Sequence, residues 1–144
     1  MVENVSNNYQ QAKDFLDKIR LSEEYIKSKE AELDALRYKA SGAGAIRYDK
    51  DKVQTSPQSF LEMVMDDIVE LSAQIEEDRA SMEELLSNAY QIIKRMSDPN
   101  QRAVLEWYYI DCVTMEEAAD KMYYSRRTIY NLRDQALEEF GRVM

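Results

Sequence analysis

The sequence predicts an all-α fold: a long helical hairpin or coiled coil, followed by a three-helix domain of helix-turn-helix type. Three observations predict it. Only 3 of the 144 residues are glycine and 2 are proline, far fewer turn formers than a many-stranded fold requires. Apolar residues recur at three- and four-residue spacing over two long stretches, the pattern of helices that bury one face. Two helix N-cap signatures, at Thr114 and Ser125, stand close together in the last third of the chain, so short helices follow one another there.

The first helix spans about residues 8–40. Its apolar stripe runs Tyr9, Ala12, Leu16, Ile19, Ile26, Leu33 and Ala40, widened by Phe15, Tyr25 and Leu36 and interrupted by Glu23, Glu30 and Arg37. This is an amphipathic helix with an imperfect seam. Residues 41–56 hold two of the three glycines and end at Pro57. That length, without periodicity, predicts a linker or an ordered functional loop. The second helix spans about residues 57–96. Ser56 is placed to cap it, and Pro57 falls at its first position, where a missing N–H costs nothing.

The second seam is more regular. Leu61, Val64, Ile68, Leu71, Ile75, Met82, Leu85, Ala89, Ile92 and Met96 keep a 3–4 alternation that only Asp78 breaks. Such a seam predicts coiled-coil packing. It pairs either with the first helix, as an antiparallel hairpin, or with a second copy of the chain. Leu61, Val64, Ile68, Leu71, Ile75, Met82, Leu85 and Ile92 are therefore candidate oligomerisation residues. Asp78 either fixes register or simply neighbours Arg79. The outer face, with Glu70, Glu76, Glu77, Glu83 and Glu84, is a solvated acidic surface.

Ser97-Asp98-Pro99 is a second break and separates residues 1–96 from a domain at 97–144. Asp98 caps a helix from Pro99 to about Asp111, with Val104, Leu105 and Tyr108 on one face. Thr114 and Glu117 form a capping box for a helix of about two turns, whose inner face is Ala118, Ala119 and Met122. Ser125 caps a third helix running to about Phe140. Ile129, Leu132, Ala136 and Phe140 share its buried side, and Arg127, Asn131 and Asp134 face the other way, with Tyr130 at the edge.

Composition excludes several functions. The chain lacks histidine and has one cysteine, Cys112, which argues against a zinc site or a His-based catalytic site; Cys112 reads as a small, partly buried residue. No nucleophile–base pair, metal cluster or glycine-rich phosphate loop is visible, so neither an enzyme nor a cofactor is expected. No apolar run is long enough to span a membrane, and the N-terminus has no secretory pattern; the expected setting is the cytoplasm.

The net charge of −9 taken alone argues against nucleic acid, whose binding draws on phosphate contacts. Its distribution points the other way. Ser125–Arg133 (SRRTIYNLR) carries three arginines and no acid. Arginine can bridge guanine and asparagine adenine, and the free N–H groups at a helix start favour phosphate. The candidate DNA-binding residues on this ground are Arg126, Arg127, Tyr130, Asn131 and Arg133 with the helix start at Ser125, and Tyr123 or Tyr124 is available to stack or touch the backbone.

Thr114-Met-Glu-Glu-Ala-Ala, Ser125-Arg-Arg-Thr-Ile and Ala136-Leu137 resemble region 4 of bacterial sigma factors, over roughly Pro99–Phe140. That resemblance implies that Arg126, Arg127, Tyr130 and Asn131 read bases, with Ser125, Thr128 and Arg133 contacting the backbone or supporting the helix. The family usually has glycine where this chain has Tyr123; a left-handed residue there costs about 1 kcal/mol, and a distorted turn is expected. The whole layout, with its YDKDKVQTSP stretch (Tyr48–Pro57), resembles bacteriophage transcriptional regulators of the ArpU and RinA kind. That likeness implies a DNA-binding regulator, an activator of phage or prophage genes, with double-stranded DNA as partner, a second copy of the chain to form a dimer, and host RNA polymerase as a further contact. Two other functions fit the same elements: a coiled-coil adaptor that docks proteins, and a small terminase-like DNA-packaging subunit.

Overall fold

The computed structural model describes residues 6–42 and 57–144. They are all-α, as the sequence predicts: α1 (Asn7–Ala40), α2 (Pro57–Ile93), α3 (Pro99–Leu105), a π-helical turn (Glu106–Ile110), α4 (Met115–Met122) and α5 (Arg126–Val143), with no strand among the described residues. The linker from residue 43 to residue 56, including most of the Tyr48–Pro57 stretch and the Ser56 cap, lies outside them. Pro57 opens α2, the position its missing N–H suits.

Packing divides the chain into two compact units that do not follow chain order. One comprises Glu23–Ser81. The other joins Met1–Ser22 to Met82–Met144.

In the Glu23–Ser81 unit, the second half of α1 runs antiparallel to the first half of α2. Lys29 donates to Asp78 at 2.7 Å, and Arg79 donates to the neighbouring Glu30. Residues rising along α1 (Tyr25, Lys29, Glu32, Leu36) line a groove with residues falling along α2 (Gln74, Leu71, Asp67). Ile26, Leu33, Val64, Leu71 and Ile75 are the buried side chains. Of the two pairings open to the α2 seam, this stretch takes the hairpin. Asp78, the polar residue in that seam, is matched by a lysine on the facing helix. The bond it donates to Asp78 holds the Lys29 ammonium above its usual range, against the opposing effect of desolvation.

The other unit is built from more pieces. Ala12, Leu16 and Ile19 of α1, Met82, Ala89 and Ile93 in the last part of α2, and Met96 just after it are buried in it. So are Val104 and Leu105 of α3, Tyr109 of the π turn, Ala118 and Ala119 of α4, and Ile129, Ala136, Leu137 and Phe140 of α5. The start of α1 lies against α5. Ser6 donates to Glu138 and Tyr9 to Asp134, the Phe15 and Phe140 rings stand 6.0 Å apart, and a Cβ on Gly141 would come within 1.9 Å of the Asn8 carbonyl oxygen. Gly141 is there because two helix backbones meet with no room for a side chain.

The sequence predicts one helix from Pro99 to about Asp111. The structure instead gives seven α-helical residues and then a widened turn, closed by the Asp111 N–H donating to the Glu106 carbonyl at 2.8 Å. Asp98 caps the start through the Asn100 and Gln101 N–H groups. The widened turn sets Tyr109 inside the unit with the Tyr108 ring edge-on to it at 4.8 Å, and frees the Tyr108 carbonyl to accept from Arg20 at 3.1 Å. Cys112 follows in a left-handed conformation (φ 59°), half-buried, its thiol 3.8 Å from the Tyr109 and Ile110 carbonyls.

Candidate nucleic-acid interface

The arginine-bearing segment sits at the junction of α4 and α5. Thr114 accepts from the Glu117 N–H at 3.1 Å while Glu117 accepts from the Thr114 N–H at 3.4 Å, so α4 starts with the predicted capping box. It stops at Met122 because Tyr123 turns left-handed (φ 59°, ψ 40°). The Tyr124 N–H then donates to the Ala119 carbonyl at 2.9 Å and the Tyr123 N–H to Asp120 at 3.3 Å, the paired bonds of a Schellman ending. The distortion expected from a tyrosine here does not occur. The turn keeps its regular hydrogen bonds, and Tyr123 accepts the unfavourable backbone while its side chain, 94% exposed, meets nothing. Ser125 closes the connection by accepting from the Thr128 N–H at 3.1 Å, and its hydroxyl also reaches the Thr128 hydroxyl at 2.9 Å.

Ile129, Ala136, Leu137 and Phe140 hold α5 against the unit and leave Arg126, Arg127, Thr128, Tyr130 and Asn131 exposed over its first two turns. Leu132, assigned to the buried side from the sequence, is half-exposed, and Leu137 takes its place in the core. Beside Asn131 is an open depression of about 200 Å³ lined by Tyr124, Thr128, Asn131, Leu132 and Gln135.

The three arginines have different surroundings. Arg127 is exposed and makes no ion pair among the described residues. Arg126 pairs with Glu116 of α4, both side chains well exposed; such pairs hold weakly and are readily exchanged for another anion. Arg133 turns inward. Its side chain is 20% exposed, with the guanidinium 5.1 Å from the Tyr130 ring and 5.9 Å from the Tyr108 ring, and it reaches Asp134 at 3.4 Å. Its Nε is buried without a hydrogen-bond partner. The sequence carried the signal for this: Arg133 is four residues after Ile129 and four before Leu137, on the arc those two bury.

The basic segment is not surrounded by a basic field. Thr114–Gln135 contains four acids and four bases, and Lys121 is engaged over the Trp107 ring at 4.6 Å. Of the candidate oligomerisation residues, Val64, Leu71, Ile75 and Met82 are buried within the single chain, Ile68, Leu85 and Ile92 are half-buried, and Leu61 is exposed. Among the described residues there is no group of His, Cys, Asp and Glu able to hold a metal ion, and no helix long and apolar enough to cross a membrane.

Among the described residues, five α-helices and an exposed Arg–Arg–Thr–x–Tyr–Asn face define a small all-helical protein with a candidate polyanion-facing edge. The chain belongs to the family described as protein of unknown function (DUF1492), which it matches over residues 44–141, from the linker through nearly all of α5. Neither a curated protein nor a solved structure matches it.

Proposed function

We propose that α4 and α5 form a helix-turn-helix and that the protein is a sequence-specific DNA-binding regulator, an activator of phage or prophage transcription. One observation carries this reading: a capped helix after a three-residue connection presents Arg126, Arg127, Tyr130 and Asn131 outward together. Those are the side chains that read base edges in a major groove. Ser125 and Thr128 flank them at the helix start, where free N–H groups suit a phosphate. The resemblance to sigma region 4 and to phage regulators of the ArpU and RinA kind supports the same reading and adds host RNA polymerase as a second contact.

An acidic chain with one short basic face binds DNA weakly as a monomer, and two linked copies gain affinity by engaging two half-sites. The part of the α2 seam that remains reachable for a second copy is Leu61, with the half-covered Ile68, Leu85 and Ile92.

The equal number of acids and bases around the connection, and the Arg126–Glu116 pair, favour a second reading, in which the same module docks a protein. Selection of bound duplexes from random DNA at a fixed, moderate salt concentration separates the two. The DNA reading expects one enriched motif, lost on combining Arg126→Ala with Arg127→Ala. No enrichment, or a complex indifferent to both substitutions, overturns it.

A further inference from the structure

The α1 helix lies beside the candidate reading face, and the side chains it brings there have no role in the assignment above. Tyr9 donates to Asp134 at 3.4 Å, and Asp134 is the residue that Arg133 reaches. One turn further along α1, Lys13 projects next to this group. It is paired with Asp17 at 2.8 Å, yet its side chain remains 41% exposed. One face of the Tyr108 ring takes the Arg20 guanidinium at 4.2 Å, and Arg133 stands 5.9 Å from the same ring and 5.1 Å from Tyr130. Three cations from two helices, Lys13, Arg20 and Arg133, are thus gathered among the phenols of Tyr9, Tyr108 and Tyr130, on the flank of α5 one turn beyond Arg127. The Lys13 ammonium and the Arg133 guanidinium are close enough to repel. Asp17 and Asp134 are the carboxylates that face the group, and Asp14 and Glu138 are held by Gln10 and Ser6.

Carboxylates are not in the minority here, but the Lys13–Asp17 pair lies at the surface and within one helix, the kind of bond in which a phosphate readily takes the carboxylate's place. The place of this pair beside the reading face is where the DNA backbone runs when a helix enters a groove. We infer that α1 is part of the DNA interface, and that Lys13, with the outer edge of Arg133 and the Tyr130 hydroxyl, contacts a backbone phosphate. This rests on the DNA-binding reading of α5. Arg20 plays a different part. Bonded to the Tyr108 carbonyl and stacked on its ring, it positions the phenols and is not free to leave.

The test is Lys13→Gln, with Lys13→Arg as the charge-preserving companion, on the duplex enriched by selection and on an unrelated duplex of equal length. Lys13 sits on an exposed helix face, so thermal unfolding should match wild type in both variants. A phosphate contact weakens binding about tenfold on both duplexes alike with Lys13→Gln, lowers the slope of log K against log salt by about 1, and is restored by Lys13→Arg. An unchanged slope, or a loss confined to the selected duplex, overturns the inference while leaving α5 as a reader. Failure of the wild type to bind either duplex removes both.

Discussion

The two compact units bury leucine by different means. Leu16, in the unit built from both ends of the chain, is 0% exposed, whereas Leu71, in the Glu23–Ser81 hairpin, keeps 7%. Most of their neighbours follow: Ala12, Ile19, Val104, Leu105, Ile129 and Phe140 are sealed, while Leu33, Val64 and Ile75 are buried less completely and Tyr25, Leu61, Met65 and Val69 are exposed; Ile26 in the hairpin and Met82 in the other unit run the opposite way. Two helices alone have one shared face, and each apolar stripe is wider than that face. The hairpin makes up part of the difference at its edges with Lys29–Asp78 and Arg79–Glu30. A unit of six helical pieces surrounds its core on all sides. Identical chemistry should therefore cost unequal amounts. Leu16→Ala should destabilise by about 4–5 kcal/mol and Leu71→Ala by about 2–3 kcal/mol, the two ends of the range seen for buried leucine truncation. Urea unfolding of both variants checks it. Equal losses would mean that the hairpin core is as closed as the other.

That comparison also separates what the residues reveal from what they conceal. Helices, caps and faces follow from local chemistry, and Thr114, Glu117, Ser125 and the Ile129–Phe140 side were legible because each rests on neighbours within a turn or two. The place of Leu16 was not. Its stripe says only that one face of α1 is buried; that this helix meets α5, more than a hundred residues later, depends on Ser6, Tyr9 and Phe15 reaching Glu138, Asp134 and Phe140. One residue hinted at it. Gly141 is a glycine inside a helix, and such a glycine commonly marks a close approach of another backbone. The π turn had no such marker, since Glu106–Ile110 reads as ordinary helix in sequence. On the exposed start of α5, Arg126, Arg127 and Asn131 were legible from helical phase, and the place of Lys13 beside that helix was not, because nothing local ties it to α5.

A second difference between the units appears on the alkaline side. Burial holds the Tyr109 phenol well above its ordinary range, and the charge of Asp17 adds to the effect. The folded unit thus keeps this proton to higher pH than the unfolded chain does. The associated stability is complete below about pH 10, the unfolded value, and is lost as pH rises from there toward the folded value. Urea midpoints should fall between about pH 10 and 11.5, with up to about 1.4 kcal/mol lost per pH unit from this one proton. Tyr109→Phe should flatten that part of the profile. A profile unchanged by the substitution would show that the alkaline loss arises elsewhere, and the Lys29 ammonium of the hairpin, also held above its usual range, would be the group to test next.

The smallest expected effect concerns Tyr123. Its left-handed backbone costs a non-glycine residue about 1 kcal/mol, and its exposed ring returns nothing to the fold. Tyr123→Gly should therefore raise stability by somewhat less than about 1 kcal/mol, since glycine also loses more entropy on folding. The ring projects from the connection that leads into Arg126 and Arg127, where the proposed DNA-binding reading puts the duplex. The same substitution should then weaken binding to the selected duplex although the fold is firmer. Stability and affinity moving in opposite directions would mark the ring as a contact made at the fold's expense. If affinity instead rises with stability, the ring touches no DNA and the Schellman turn matters only as the hinge that sets α5.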